Sequence, residues 1–229
     1  MPRLLLFDID GTLLDTGGAG GASLLDAVEE VLGISRSTLP PLHLAGATDG
    51  GILLQIFSHA GRELDASTQE AYLASYLRHL RRRLHAPDFP GVSLPGVPGL
   101  LAALAAEGAA DIGLLTGNVR QGAELKLARF HLGHHFLDGA FGDDAVDRNL
   151  LGPFAIQRMS QATGRSYRAE EIIVIGDTPK DIACAHAIGA RCLAVGTGQY
   201  SADQLLPHQP WRCLHDLADT ARVCELLLS

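Results

Sequence analysis

Positive charge is scarce in this chain. Eighteen Lys and Arg stand against 26 Asp and Glu, giving a formal net charge of -8 over 229 residues. Affinity for a phosphate backbone needs concentrated cations, so general nucleic-acid binding is not expected. No apolar run approaches the roughly 20 residues of a membrane-spanning helix, and no membrane partner is expected. The short apolar run at the amino end is also wrongly flanked for a signal peptide. Cys184, Cys192, Cys213 and Cys224 are the only cysteines, and no two stand in C-x-x-C spacing. They read as reduced, packed thiols of a cytoplasmic protein. Ten histidines are present, but neither H-E-x-x-H nor Cys-His spacing organises them. His131, His134 and His135 therefore read as the end of a helix and not as a metal site.

What is present begins with Leu4-Leu5-Leu6-Phe7-Asp8-Ile9-Asp10-Gly11-Thr12-Leu13-Leu14. The apolar start reads as a buried strand that stops at a Gly-Thr turn. In extended backbone, residues i and i+2 share a side, so Asp8 and Asp10 could face one point at the strand's carboxyl end. Such a pair suits a divalent cation, although aspartates also solvate ordinary loop exits. A Gly-rich passage over Asp15 to Gly21 follows and reads as a hinge.

From Ser23 to Leu84 the period is helical. Leu24, Leu25, Val28, Val31 and Leu32 form one stripe before Gly33, and Ile52, Leu53, Ile56 and Phe57 form another. Leu73, Tyr76, Leu77, Leu80 and Leu84 make a third, with Arg78, Arg81, Arg82 and His85 opposite as a solvated face. Prolines and glycines between Pro87 and Gly99 then mark a boundary. Beyond it, apolar runs at 112–115, 139–141, 172–175, 192–195 and 212–214 alternate with helical patterns. That alternation predicts a doubly wound parallel α/β sheet.

In such sheets ligands bind at the carboxyl ends of strands. One predicted strand ends at Asp8 and Asp10, another at Thr116-Gly117-Asn118, and a third at Gly176-Asp177-Thr178-Pro179-Lys180-Asp181. Thr116 and Gly117, with a helix starting near Asn118, would make a phosphate seat, while Asn118 is equally an ordinary N-cap. Thr178 and Asp181 fit a capping box around a Pro at the first helical position. Capping leaves Asp177 unexplained, and a metal ligand is the better reading of it.

These three segments resemble the first, second and fourth motifs of the haloacid dehalogenase superfamily, in its Mg-dependent phosphatase branch near the phosphoglycolate phosphatases. The resemblance implies a Rossmann-like core over 1–15 and 91–229, with an inserted helical cap of type 1 over 16–90. Where the family's third motif supplies Lys, this chain has Arg148, at the usual spacing from Pro153. The resemblance further implies that Asp8 is a nucleophile forming an aspartyl-phosphate, and that Asp10 is the general acid and base. Mg²⁺ would be held by Asp8, the Asp10 carbonyl and Asp177. Thr116, Gly117, Asn118 and Arg148 would bind the phosphoryl group, with Asp181 as an accessory acid. The expected partner is a small phosphorylated metabolite. A sugar phosphomutase, a dehalogenase and a catalytically silent binding module are the alternatives. On the substrate side only Thr48 and Asp49 stand out, the latter where mutases often carry Arg.

Overall fold

In the computed structural model, which describes residues 3–39 and 41–229, β1 (Arg3–Phe7) lies in the middle of a six-stranded sheet. Its neighbours are β4 (Ala110–Leu115) and β6 (Ile172–Gly176), both parallel to it. β5 (Gly139–Ala140) extends the sheet beyond β4, while β7 (Arg191–Val195) and β8 (Arg212–Leu214) extend it beyond β6. Every pairing is parallel.

A parallel sheet covered on both faces needs strands that are apolar throughout. β1 meets this with Leu5 and Phe7 on one face and Leu4 and Leu6 on the other. The first face packs on α4 (Val97–Glu107), α5 (Arg120–Arg129) and α9 (Thr220–Leu228). The second packs on α6 (Leu151–Thr163), α7 (Pro179–Ala187) and the short α8 (Ala202–Leu205). Cys184 and Cys192 are buried in this second layer, and all four cysteines are free.

The chain leaves the sheet after β1 and builds a separate apolar cluster from α1 (Ala19–Ala27), α2 (Asp49–His59) and α3 (Ala66–Leu84). Val28–Leu32 continues α1 as a π-turn that ends at Gly33, whose φ of 64° is left-handed. The three expected stripes supply this cluster. The arginine run is solvated as expected, with Arg78, Arg81, Arg82 and His85 all exposed. Arg78 pairs with Glu30 and Arg83 with Asp26, so part of it ties α3 to α1 and the turn that follows. The two passages between sheet and helices pair with each other, β2 (Leu14–Asp15) running antiparallel to β3 (Val92–Ser93).

Two local expectations change. The Gly-rich passage is not irregular throughout, because Gly20 and Gly21 already belong to α1. α5 begins at Arg120 with Val119 as its N-cap, so Asn118 does not cap it. Among the described residues, no helix is long and apolar enough to cross a membrane.

Candidate active site

The carboxyl ends of β4, β1 and β6 are adjacent, and the residues that follow them line one cleft of about 490 Å³. Asp8, Asp10, Thr116, Gly117, Asn118, Arg148 and Asp177 all reach it. Asp181 lies behind, fully buried.

After β1 the backbone turns sharply, with Leu13 N–H and Leu14 N–H both donating to the Ile9 carbonyl. Gly11 has a φ of 80°, and a Cβ there would lie 2.3 Å from an Asp177 carboxylate oxygen. The turn thus needs glycine twice over, for its conformation and for the approach of the β6 exit. Thr12 Oγ1 donates to Asp177 Oδ1 at 3.0 Å, holding the two exits together.

Carboxylate oxygens of Asp8, Asp177 and Asp181 lie within 4.8 Å of one another, all three residues buried. Burial raises the Asp8 carboxyl above its ordinary range, against the pull of Arg148. Burial raises Asp177 as well, with Asp181 and Asp8 adding to it. Crowded, desolvated carboxylates are what a hard cation relieves, and an all-oxygen donor set suits Mg²⁺. Asp181 is the least available of the three. Its Oδ1 accepts from Arg148 at 2.5 Å, and its Oδ2 accepts from Thr178 N–H and Oγ1 at 2.9 and 2.7 Å. The capping box foreseen at Thr178 and Asp181 is present.

Arg148 opens a short 3-10 turn (Arg148–Leu150) before α6. Its Nη2 lies 3.2 Å from Asp8 Oδ1, and its Nη1 donates to the Gly46 carbonyl at 3.3 Å. Burial opposes its charge, but Asp181 and Asp8 hold its pKa above the ordinary value. A planar fork can serve two carboxylates and a carbonyl at once, which an ammonium does less readily.

The Asp10 carboxylate turns away from the acidic cluster. It accepts from Lys126 Nζ at 2.8 and 2.6 Å and from Asn118 Nδ2 at 2.8 Å. Lys126 also donates to Asn118 Oδ1 at 2.6 Å, so its three N–H bonds have three acceptors. Asn118 Nδ2 and backbone N–H both point to Thr116 Oγ1, leaving the Thr116 hydroxyl proton free to donate elsewhere. The first N–H groups of α5 are already taken. Val119 N–H donates to Asp49 Oδ2 at 2.9 Å, and Arg120 N–H donates to Asp143 at 2.5 Å. The expected phosphate seat therefore does not rest on that helix end.

Gly117 has a different neighbour from the one foreseen. A Cβ at 117 would lie 2.0 Å from the Ala47 carbonyl, so its missing side chain admits the loop before α2. Asp49 N–H donates to the Gly117 carbonyl at 2.8 Å, fixing that loop on the sheet edge. Thr48 caps α2 and donates to the Val146 carbonyl at 2.6 Å. Asp49 lines the cleft, and burial pushes its carboxyl up to about 6 even though Lys126 pulls the other way.

Lys126 is the residue that sequence reading missed. It sits mid-helix, eight positions after Asn118, with no motif around it. Its one signal is rarity, since Lys126 and Lys180 are the only lysines in the chain.

A family model described as haloacid dehalogenase-like hydrolase matches residues 5–186. A 5'-nucleotidase of Pseudomonas aeruginosa is 30% identical over 225 residues, covering 96% of this chain and 95% of that protein. A phosphoglycolate phosphatase of Rhodospirillum rubrum is 29% identical over 210 residues, covering 86% of this chain and 81% of that protein. Among solved structures, a hydrolase from Pseudomonas syringae superposes with a TM-score of 0.74 at 20% identity, covering 99% of this chain and all of that one (100%). The resemblance carried by the three strand-end motifs thus stands, and the chain belongs to the haloacid dehalogenase-like hydrolases.

Proposed function

We propose that this protein is a Mg²⁺-dependent phosphatase that hydrolyses a small phosphomonoester through an aspartyl-phosphate on Asp8. The observation that carries the reading is the convergence of Asp8, Asp10, Thr116, Arg148 and Asp177 on one cleft at three adjacent strand ends. The metal's sites would be an Asp8 oxygen, the Asp10 carbonyl and Asp177, with residues 1–15 and 91–229 as core and 16–90 as cap. When bound, Mg²⁺ would neutralise charge between an anionic nucleophile and an anionic phosphate.

In the first half-reaction an Asp8 oxygen attacks phosphorus, the ester P–O bond breaks, and Asp10 gives a proton to the departing alkoxide. In the second, Asp10 takes a proton from water as that water attacks the phosphorus. The P–O bond to Asp8 breaks and inorganic phosphate leaves. Lys126 and Asn118 hold Asp10 for both transfers. The free Thr116 hydroxyl proton and the Gly117 backbone face the phosphoryl oxygens, Asn118 acts by holding Asp10 and Thr116, and Arg148 offsets charge beside Asp8. Asp181 acts through Arg148 and does not itself touch phosphate. The helical unit would exclude bulk water, for which the β2–β3 ribbon is the natural pivot.

The test is phosphate release from p-nitrophenyl phosphate by the whole chain. Activity should require Mg²⁺, vanish with EDTA and return on adding the ion. Asp8→Asn should be inactive, and quenched wild-type enzyme should carry one phosphoryl group on the Asp8 peptide. Wild-type protein that releases no phosphate from this ester or from a broad panel with Mg²⁺ refutes the reading.

A further inference from the structure

Two classes of leaving group separate the curated relatives, one bearing a carboxylate and one a neutral sugar hydroxyl. The charges lining the cleft discriminate between them. Five carboxylates line it, Asp8, Asp10, Asp15, Asp49 and Asp177, against two cations, Lys126 and Arg148, among the described residues. Neither cation is free. Arg148 is engaged by Asp8 and Asp181, and the three N–H bonds of Lys126 are spent on Asp10 and Asn118. A substrate with a second anion beyond its phosphate would find no ammonium or guanidinium to receive it.

It would find Asp49 instead. Asp49 is pinned twice, by its N–H to the Gly117 carbonyl and by its Oδ2 to Val119 N–H. Its Oδ1 has no hydrogen-bond partner among the described residues. Tyr76, from the helical unit, lines the same wall, and its hydroxyl makes no hydrogen bond among them. Leu24 and Ile52 supply apolar surface beside these two groups. A carboxylate acceptor and a phenol donor over an apolar floor suit a carbon skeleton that carries hydroxyls and no charge.

We infer that the cleft selects phosphomonoesters of uncharged, hydroxyl-bearing alcohols of the sugar type, and that Asp49 is the residue that rejects a second anion. This rests on the phosphatase reading above. The same arrangement disfavours a mutase cycle, which must seat two phosphates on one sugar. The free sugar phosphate and the nucleoside monophosphate share this chemistry, and the assay separates them.

The experiment measures kcat/KM of the full chain with Mg²⁺ for a pentose phosphate, a nucleoside monophosphate, phosphoglycolate and p-nitrophenyl phosphate. The better of the first two should exceed phosphoglycolate by about tenfold or more, the scale of one like-charge contact near a protein surface. Asp49→Asn keeps the acceptor for Val119 N–H and removes the charge. It should narrow that ratio by about tenfold. Because the ratio is taken on one preparation, a partly folded variant does not distort it. Phosphoglycolate turned over as well as the neutral esters, or a ratio unmoved in Asp49→Asn, overturns the inference while leaving the phosphatase reading intact. Failure on every ester, the aryl phosphate included, refutes the phosphatase reading and the inference with it.

Discussion

Lys126 places a buried ammonium on an acid that faces the cleft, and this contact has consequences for rate. Its side chain is 4% exposed and the Asp10 side chain 41%. Lys126→Met removes the anchor but leaves Asp10 solvated, so the fold should survive. Kcat should fall by about 10- to 100-fold with KM little changed, the signature of a displaced proton-transfer group. Lys126→Arg should recover part of the loss, and an equal change in KM would refute the positioning role. Arg148 is the opposite case, because removing it strands the buried Asp8 and Asp181 carboxylates. Arg148→Met should lower unfolding free energy by about 3–5 kcal/mol in denaturant titrations. A change below 1 kcal/mol (roughly the surface-pair value) would contradict its buried pairing. Asp49 carries a pH signature. Its folded-state pKa of about 6 lies above the ordinary 3.8, so the folded state holds its proton more tightly than the unfolded one. Parent stability should therefore fall as pH rises from about 4 to about 6 and then level off. Asp49→Asn lacks that fall, and should be the more stable protein above pH 6 by about 1–2 kcal/mol. Equal curves across that range would refute the buried-charge account.

At the scale of elements, the site depends on backbones meeting where side chains are missing. Gly117 admits the loop that carries Asp49, and Gly11 admits Asp177. Gly117→Ala should displace the loop more than it unfolds the sheet, because the clash falls on the Ala47 carbonyl. The sugar-ester preference should weaken while CD-monitored melting shifts by only a few degrees, about 1–3 kcal/mol of overpacking strain. Full retention of the preference would show that the loop adapts. These contacts were not legible in the sequence. The strand-end acids and the Thr178–Asp181 capping box were, because spacing along one chain segment fixes them. The cap of α5 was not, because the helix starts two residues past Asn118 with Val119 as its cap. Asn118 is a good N-cap by type, yet its amide is held by Asp10, Thr116 and Lys126, residues that local spacing does not join.

For the molecule as a whole, the acidic cluster couples metal, pH and stability. Without metal, the raised carboxyls of Asp8 and Asp177 make the fold lose stability as pH rises out of the ordinary carboxylate range. Mg²⁺ in the proposed role would compete with those protons and bind better once they have left. The thermal midpoint with Mg²⁺ should exceed that with EDTA by more at pH 8 than at pH 6. Equal gaps at both values would remove the cluster from consideration as the metal's seat. The sequence by itself determined the doubly wound sheet, the helical insertion and the polar exits at three strand ends, two of them acidic. Each follows from periodicity or spacing within a few residues, which local backbone geometry converts directly into shared faces. Only the tertiary structure decided that Arg148 bridges Asp8 and Asp181, that Lys126 holds Asp10, and that Asp49 stands in the cleft with no free cation beside it. Those pairings join residues 33 to 140 positions apart. Which carboxylate meets which cation across such separations is set by helix docking and burial, and no pattern along the chain encodes it.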